Sequence, residues 1–197
     1  MNAPTLRHLL PDFRLVFALA FPLLALPAFA AAPSAGRYEV DPSSAAVRFR
    51  IKNFGVMTVK GRFGSFSGAV DLAEPFEKTV VEGTVTVASV NTGIRKRDAH
   101  LRTADFFDAA RFPMMTFRST RVSGTFDVFE LEGTLSIKGV SRTVRFKGRK
   151  SKAAVPDGVL AVTAEAVVDR RDFGLTYGGP VGREVTILLD VVAKKAP

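Results

Sequence analysis

Arg97-Asp98-Ala99-His100 sets a fixed cation, a carboxylate and an imidazole within four residues, and Asp105-Phe106-Phe107-Asp108 and Phe112-Pro113 follow closely. Asp98 and His100 sharing a pocket would make an acid and base pair, because burial beside a charge is how proton-transfer groups acquire working pKa values. The same side chains, Arg97, Asp98 and His100, would equally hydrogen-bond a quinone or phosphate head group at the mouth of a cavity. A structural role also accounts for them: Arg97 and Asp98 would pin the stretch to the rest of the chain while His100 caps a backbone group. No Gly-x-Ser-x-Gly elbow and no paired-carboxylate motif accompanies them. The expectation is therefore a protein that is not an enzyme. Phe106 and Phe107 read as an aromatic wedge that either gates an opening or anchors the segment.

Composition narrows the remaining chemistry. The chain has no cysteine and two histidines, His8 and His100. That removes thiol catalysis, iron–sulfur clusters and thiolate metal sites, and a lone mature histidine cannot build a multi-histidine zinc site. Neither a metal nor a cofactor is expected. The net charge is +9, from 28 Lys and Arg against 19 Asp and Glu. Such a charge favours anionic membrane surfaces, acidic ligands or nucleic acid. The basic residues alternate with apolar ones, however, as in Val47-Arg48-Phe49-Arg50-Ile51-Lys52. That is a solvated strand face and not a nucleic-acid recognition cluster, so no nucleic-acid partner is expected.

The elements that must position these residues begin after a leader. Arg7 and Arg14 precede the apolar run Leu15–Phe21 and Leu23–Leu26, and Ala28-Phe29-Ala30 fits the small-x-small pattern of signal-peptide cleavage. Residues 1–30 are read as a signal peptide, cut after Ala30 or Ala32. A membrane anchor fits less well, since the run is broken by Pro22 and Pro27 and falls short of roughly 20 residues. Two basic residues and one acidic residue leave with the leader, so the mature domain has 167 residues and a net charge of +8. A chain of this length suits one domain, and without disulfides it is held by its core.

From Gly36 onward the pattern is β. Val47, Phe49 and Ile51 alternate with Arg48, Arg50 and Lys52, and Val81, Gly83, Val85 and Val87 alternate with Glu82, Thr84 and Thr86. Further strands are expected at Val59–Phe63, Ser65–Leu72, Met115–Ser119, Thr125–Phe129, Glu132–Ile137, Thr143–Lys147, Leu160–Val168 and Glu184–Ala193. Lys138-Gly139 marks a tight hairpin. Glycines inside strands are read as bulges or barrel coiling. Thr103 would cap a short helix over Thr103–Asp108, stopped before Pro113, and Lys194–Pro197 would be a frayed end. About eight antiparallel strands and one insert make an all-β domain, a sandwich or an up-and-down barrel. Thirteen mature phenylalanines and no tryptophan suit a greasy interior. Pattern alone leaves a dry packed core and a tunnel both open.

Several blocks resemble the YceI-like family: Phe49–Gly55, Gly61-Arg62-Phe63 with Phe66-Ser67-Gly68, Asn91-Thr92-Gly93, Arg97–Leu101 with Asp105–Asp108, Gly133–Val140, and Arg170–Gly174. The resemblance runs in order through residues 36–193. It implies a single eight-stranded antiparallel lipocalin-like barrel with a short helical insert, exported to the periplasm. The implied ligand is an isoprenoid lipid, a polyisoprenoid or an isoprenoid quinone type, lying in an apolar tunnel. Thr134 and Arg183-Glu184 depart from the family pattern and bear on head-group choice. The expected tunnel residues are Phe49, Ile51, Phe63, Phe66, Val85, Val87, Phe117, Leu135, Ile137, Val144, Phe146, Val162, Ile187 and Leu189. Two other readings stand beside the carrier: an envelope scaffold, in a family linked with stress responses, docking on membrane or protein partners, and an enzyme acting on a bound apolar substrate. Transient contact with an anionic membrane belongs with these expectations, and a homodimer is left open.

Overall fold

The computed structural model describes residues 33–179 and 181–197. The leader expected over residues 1–30 lies outside them. The strands are β1 Gly36–Val40, β2 Ala46–Asn53, β3 Met57–Phe63, β4 Phe66–Leu72, β5 Val80–Thr86, β6 Val90–Asn91, β7 Met114–Gly124, β8 Val128–Ile137, β9 Val140–Lys150, β10 Val159–Asp169 and β11 Val181–Lys195, with one helix, α1, at Arg95–Leu101. No helix among the described residues is long and apolar enough to cross a membrane.

Three successive strand pairs act as single bent staves. β1 and β2 both lie along β11, Val40 opposite Ala193 and Ala46 opposite Asp190, so five residues on one side face two on the other. β3 and β4 lie along β2 and β1, and β6 and β5 lie along β3 and β4. Counting each bent pair once gives an eight-stave antiparallel meander, closed where the first stave meets β11. A closed ring leaves no hydrogen-bonding edge along most of its length. At one end sit the β2–β3 turn, the insert 92–113 carrying α1, the β8–β9 turn and loop 170–179. The opposite end carries loop 73–79, turn 125–127, loop 151–158 and the start of β1.

The local causes are legible. At the β8–β9 turn Lys138 and Gly139 adopt φ of 51° and 75°, the left-handed pair that lets a two-residue turn follow the twist of its strands. Asp41 accepts hydrogen bonds from Ser43 N (3.0 Å) and Ser43 Oγ (2.6 Å), and this turn bends the first stave.

Four expectations change. The helix is Arg95–Leu101 and not Thr103–Asp108. Thr103 Oγ1 donates back to His100 O (2.8 Å), ending the helix, while Phe106 N and Asp108 N both donate to Thr103 O in tight turns. The expected break between Phe129 and Glu132 is absent, and the turn lies at 125–127 instead. Lys194 and Lys195 are not frayed: Lys195 stands opposite Tyr38 and its N–H donates to Gly158 O (2.8 Å).

The fourth concerns glycines. Gly61 and Gly148 mark neither bulges nor left-handed bends, whereas Gly133 does stand at a bulge, opposite the register shift between Ser119 and Arg121. A Cβ on Gly61 would come within 2.2 Å of the Phe49 ring, one on Gly133 within 2.4 Å of Phe117, and one on Gly148 within 2.2 Å of Phe129. Each ring lies over a glycine on the adjacent strand. Rings laid on the wall do not fill the centre.

Two buried clusters result. One, with Phe63, Val87, Val90, Phe106, Phe173 and Leu175, packs beneath the insert. The other, with Tyr38, Val70, Leu72, Leu160, Val162 and Ala193, lies toward the opposite end.

Candidate functional site

Both clusters border a cavity of about 540 Å³, well inside the range of roughly 300–1,000 Å³ in which small-molecule pockets fall. Along β11 it touches residues from Val181 to Val191, roughly 30 Å of strand at about 3.3 Å per residue. All eight staves contribute to the wall, and the wall is almost wholly apolar.

Twelve of the fourteen expected tunnel residues line this cavity: Phe49, Ile51, Phe63, Phe66, Val85, Phe117, Leu135, Ile137, Phe146, Val162, Ile187 and Leu189. Val87 and Val144 do not. Val87 sits in the 3-10 turn at the β5–β6 bend and is fully buried, and Val144 is buried within the cluster that also holds Leu135 and Phe146. Strand alternation told which residues face inward but not which inward residue is screened by its neighbours.

The insert covers the cavity at the α1 end. Arg102 fastens it to the barrel, donating from Nε to Ala88 O (2.8 Å) and from Nη2 to Val90 O (3.0 Å), and Lys138 Nζ donates to Ala104 O (2.7 Å). Asp98 is buried and accepts from Thr92 N (2.8 Å) and Thr92 Oγ1 (2.5 Å). Arg97 donates from Nε to Thr92 Oγ1 (2.7 Å) and from Nη2 to Thr92 O (2.9 Å). Arg97 lines the cavity, whereas Asp98 does not. The carboxylate that meets His100 belongs to Asp105, with Nε2 and Oδ2 2.9 Å apart. Asp98 and His100 therefore have separate partners, and no acid and base pair forms between them.

Aromatic rings complete the cover. His100 stands edge-on to Phe106 (5.0 Å between centroids) and to Tyr177 (4.9 Å), and Phe106 lies 4.8 Å from Tyr177. Deeper, Phe107 meets Phe63 at 6.0 Å and Phe63 meets Phe49 at 5.6 Å. Phe106 and Phe107 both line the cavity. The rim triad joins the insert to loop 170–179 through its rings.

Sequence reasoning missed two polar residues here. Arg170 is buried and lines the cavity, and its guanidinium donates to Gly182 O (2.8 Å), Val181 O (3.1 Å) and Leu175 O. Desolvation pulls its pKa below the ordinary arginine value. Among the described residues no carboxylate pairs with Arg170 or Arg97. Two positive charges thus stand at the covered end with no carboxylate in direct contact, the nearest acting on Arg170 through space (Asp169) and on Arg97 through the Thr92 hydroxyl (Asp98). Asn53 also lines the cavity, and its Oδ1 is buried without a hydrogen-bond donor. The run of charges around Arg170 hid the one that turns inward, and Asn53 reads as an ordinary turn residue.

Comparison with known proteins gives a consistent picture. The YceI-like domain matches residues 38–193. A UPF0312 protein of Pseudomonas aeruginosa is 33% identical over 164 residues, covering 80% of this chain and 86% of that one. The crystal structure of Burkholderia cenocepacia BcnA superposes with a TM-score of 0.72 at 23% identity, covering 79% of this chain and 99% of that one. A polyisoprenoid binding domain from Saccharophagus degradans, implicated in plant cell wall breakdown, superposes with a TM-score of 0.63 at 16% identity, covering 81% and 98%. At these identities the two structures bear on the fold alone.

Proposed function

Since the chain belongs to the YceI-like domain family, we propose that it is a periplasmic carrier, a binder and not an enzyme, that holds an isoprenoid lipid of polyisoprenoid or isoprenoid quinone type. The observation that carries this is the cavity itself: long, apolar and running through the barrel from the insert to the opposite cluster. Burying apolar surface is favourable by roughly 25 cal/mol per Å², so each five-carbon unit of a tail adds on the order of 1–3 kcal/mol before ordering costs. A sleeve of phenylalanine, valine and leucine supplies this without asking for a single hydrogen bond.

The polar residues at the covered end support a head group placed there. Among the described residues Arg97 and Arg170 touch no carboxylate directly and Asn53 Oδ1 lacks a donor, so the end suits phosphate oxygens or quinone carbonyls with a hydroxyl or water nearby. In this reading Phe106 and Phe107 open and close the entrance, and Asp98 holds Arg97 in place through Thr92. The Saccharophagus domain's described ligand agrees with this class.

The test is a mass spectrum of the organic extract from protein isolated from its own host. An isoprenoid at near one copy per chain is the expected result, reduced several-fold in Phe63→Glu, which sets a charge on the wall. An extract without isoprenoid from freshly isolated protein overturns the proposal.

A further inference from the structure

The barrel's outer surface is not the same at its two ends. Among the described residues, six of the eight exposed large apolar side chains lie at the α1 end: Phe54, Val56, Met57, Ile94, Met114 and Tyr177. Three of them form the tip of the β2–β3 hairpin, with 62% of Phe54, 78% of Val56 and 54% of Met57 in solvent. Phe54 holds a φ of 50° and Gly55 a φ of 72°. Left-handed turn positions favour glycine and asparagine, and a bulky aromatic there is disfavoured. The chain accepts that cost and presents a ring to water.

Below the tip the outward face is cationic. Arg48 stands opposite Arg62 and Arg50 opposite Lys60, with Lys52 one step nearer the tip. Like charges directly opposite one another destabilise a strand pair. Arg48 has Asp190 as its partner, but among the described residues no carboxylate pairs with Arg50, Lys52, Lys60 or Arg62. The inward face of the same hairpin is apolar: Phe49, Ile51 and Val59 line the cavity, and Met57 continues that side outward to the tip.

We infer that this end of the barrel docks on an anionic phospholipid bilayer, Phe54, Val56 and Met57 entering the head-group layer while Arg50, Lys52 and Lys60 engage lipid phosphates. An apolar tip above a basic collar is the arrangement that holds a surface element in the interface. Among the described residues, Met57–Gly61 of β3 have no strand partner on their far side, since β6 pairs only with Arg62 and Phe63. A second copy seated on that edge would bring the same cations against each other, and charge therefore favours the bilayer over self-association. The docked hairpin gives an apolar path from the membrane into the cavity. The purpose of docking rests on the carrier reading, but its detection does not.

The chain has no tryptophan, so Phe54→Trp makes the tip its own reporter in the full-length protein, and Val128→Trp reports an exposed site at the opposite end. With vesicles of equal phosphatidylglycerol and phosphatidylcholine, Trp at 54 moves to shorter wavelength and is quenched by brominated lipid, while Trp at 128 does neither. Arg50→Glu combined with Lys60→Glu weakens vesicle binding by at least about tenfold, from about 1 kcal/mol per basic residue near an anionic surface. An equal response at both sites overturns the inference, as does no response at 54 or no effect of charge reversal. A response at 54 that grows with protein concentration in the absence of vesicles assigns the tip to a second copy and overturns it too. Because extraction reads the cargo and residue 54 reads the contact, either proposal can fail alone.

Discussion

Two aspartates hold seams of the barrel. Asp41 accepts from Lys194 Nζ at 2.7 Å, tying the bend of the first stave to the end of β11, and this lysine and the Ser43 hydrogen bonds keep its carboxyl far below the ordinary range. Asp169 caps the turn after β10, accepting from Arg171 N (3.0 Å), Nε (3.0 Å) and Nη2 (2.7 Å), and these bonds lower its pKa to about 2. Both groups bind protons more weakly folded than unfolded, where a carboxyl titrates near 3.9. Their stabilisation is therefore complete above that value and drains away as the pH falls toward 2. Thermal midpoints measured from pH 6 to pH 2 are expected to fall more steeply for the wild-type protein than for Asp169→Asn, with the two curves converging in acid. Parallel curves would show that the capped carboxylate does not contribute. Asp98 shows the limit of reading residues in isolation. Its closeness to His100 in sequence was plain, but Thr92 competes for it, and the Asp105 that reaches His100 does so because the helix ends at Leu101.

Among the elements, strands showed themselves wherever one face stayed polar: β2 alternates throughout, whereas the expected break divides β8 after Phe129 although Phe129, Leu131, Leu135 and Ile137 share its inward face. The bent staves were hidden, because a bend is a register shift between β11 and its two partners and leaves no trace in either sequence. The helix was hidden for a related reason. Ile94 stands at its N-cap position with no side-chain hydrogen bond to its first turn, so no capping residue announces it. The glycine and phenylalanine pairs also depend on register, and they decide whether the barrel is hollow. Phe129 stands directly opposite Gly148, and both lie on the inward face. In Gly148→Ala the new methyl displaces the Phe129 ring into the cavity. We expect stability to drop by about 1–3 kcal/mol, the usual range for overpacking, together with several-fold less retained lipid. Urea unfolding and extraction from the same preparation check both. A variant with unchanged cargo would mean that the rings do not govern the open volume.

At the scale of the whole molecule, a barrel of this size can be filled by its own side chains or left open for one ligand, and the difference has a thermodynamic signature. Packed interiors gain dispersion contacts throughout, whereas an empty cavity of about 540 Å³ leaves its lining without partners on one side. A ligand that binds only the folded barrel restores those contacts and stabilises it by about 2.7 kcal/mol at a free concentration one hundred times its Kd. For a domain of this length each kcal/mol moves the thermal midpoint by roughly 2–4 °C, so delipidated protein should gain about 5–10 °C when a polyprenyl phosphate or isoprenoid quinone is returned to it. A saturated chain of matching length but no head group should give a smaller shift, since it leaves Arg97, Arg170 and Asn53 unmatched. That contrast separates the two halves of the site. Equal shifts would assign recognition to the sleeve alone, and no shift with any of the three would mean that the cavity closes on itself when empty, removing the physical basis for a carrier.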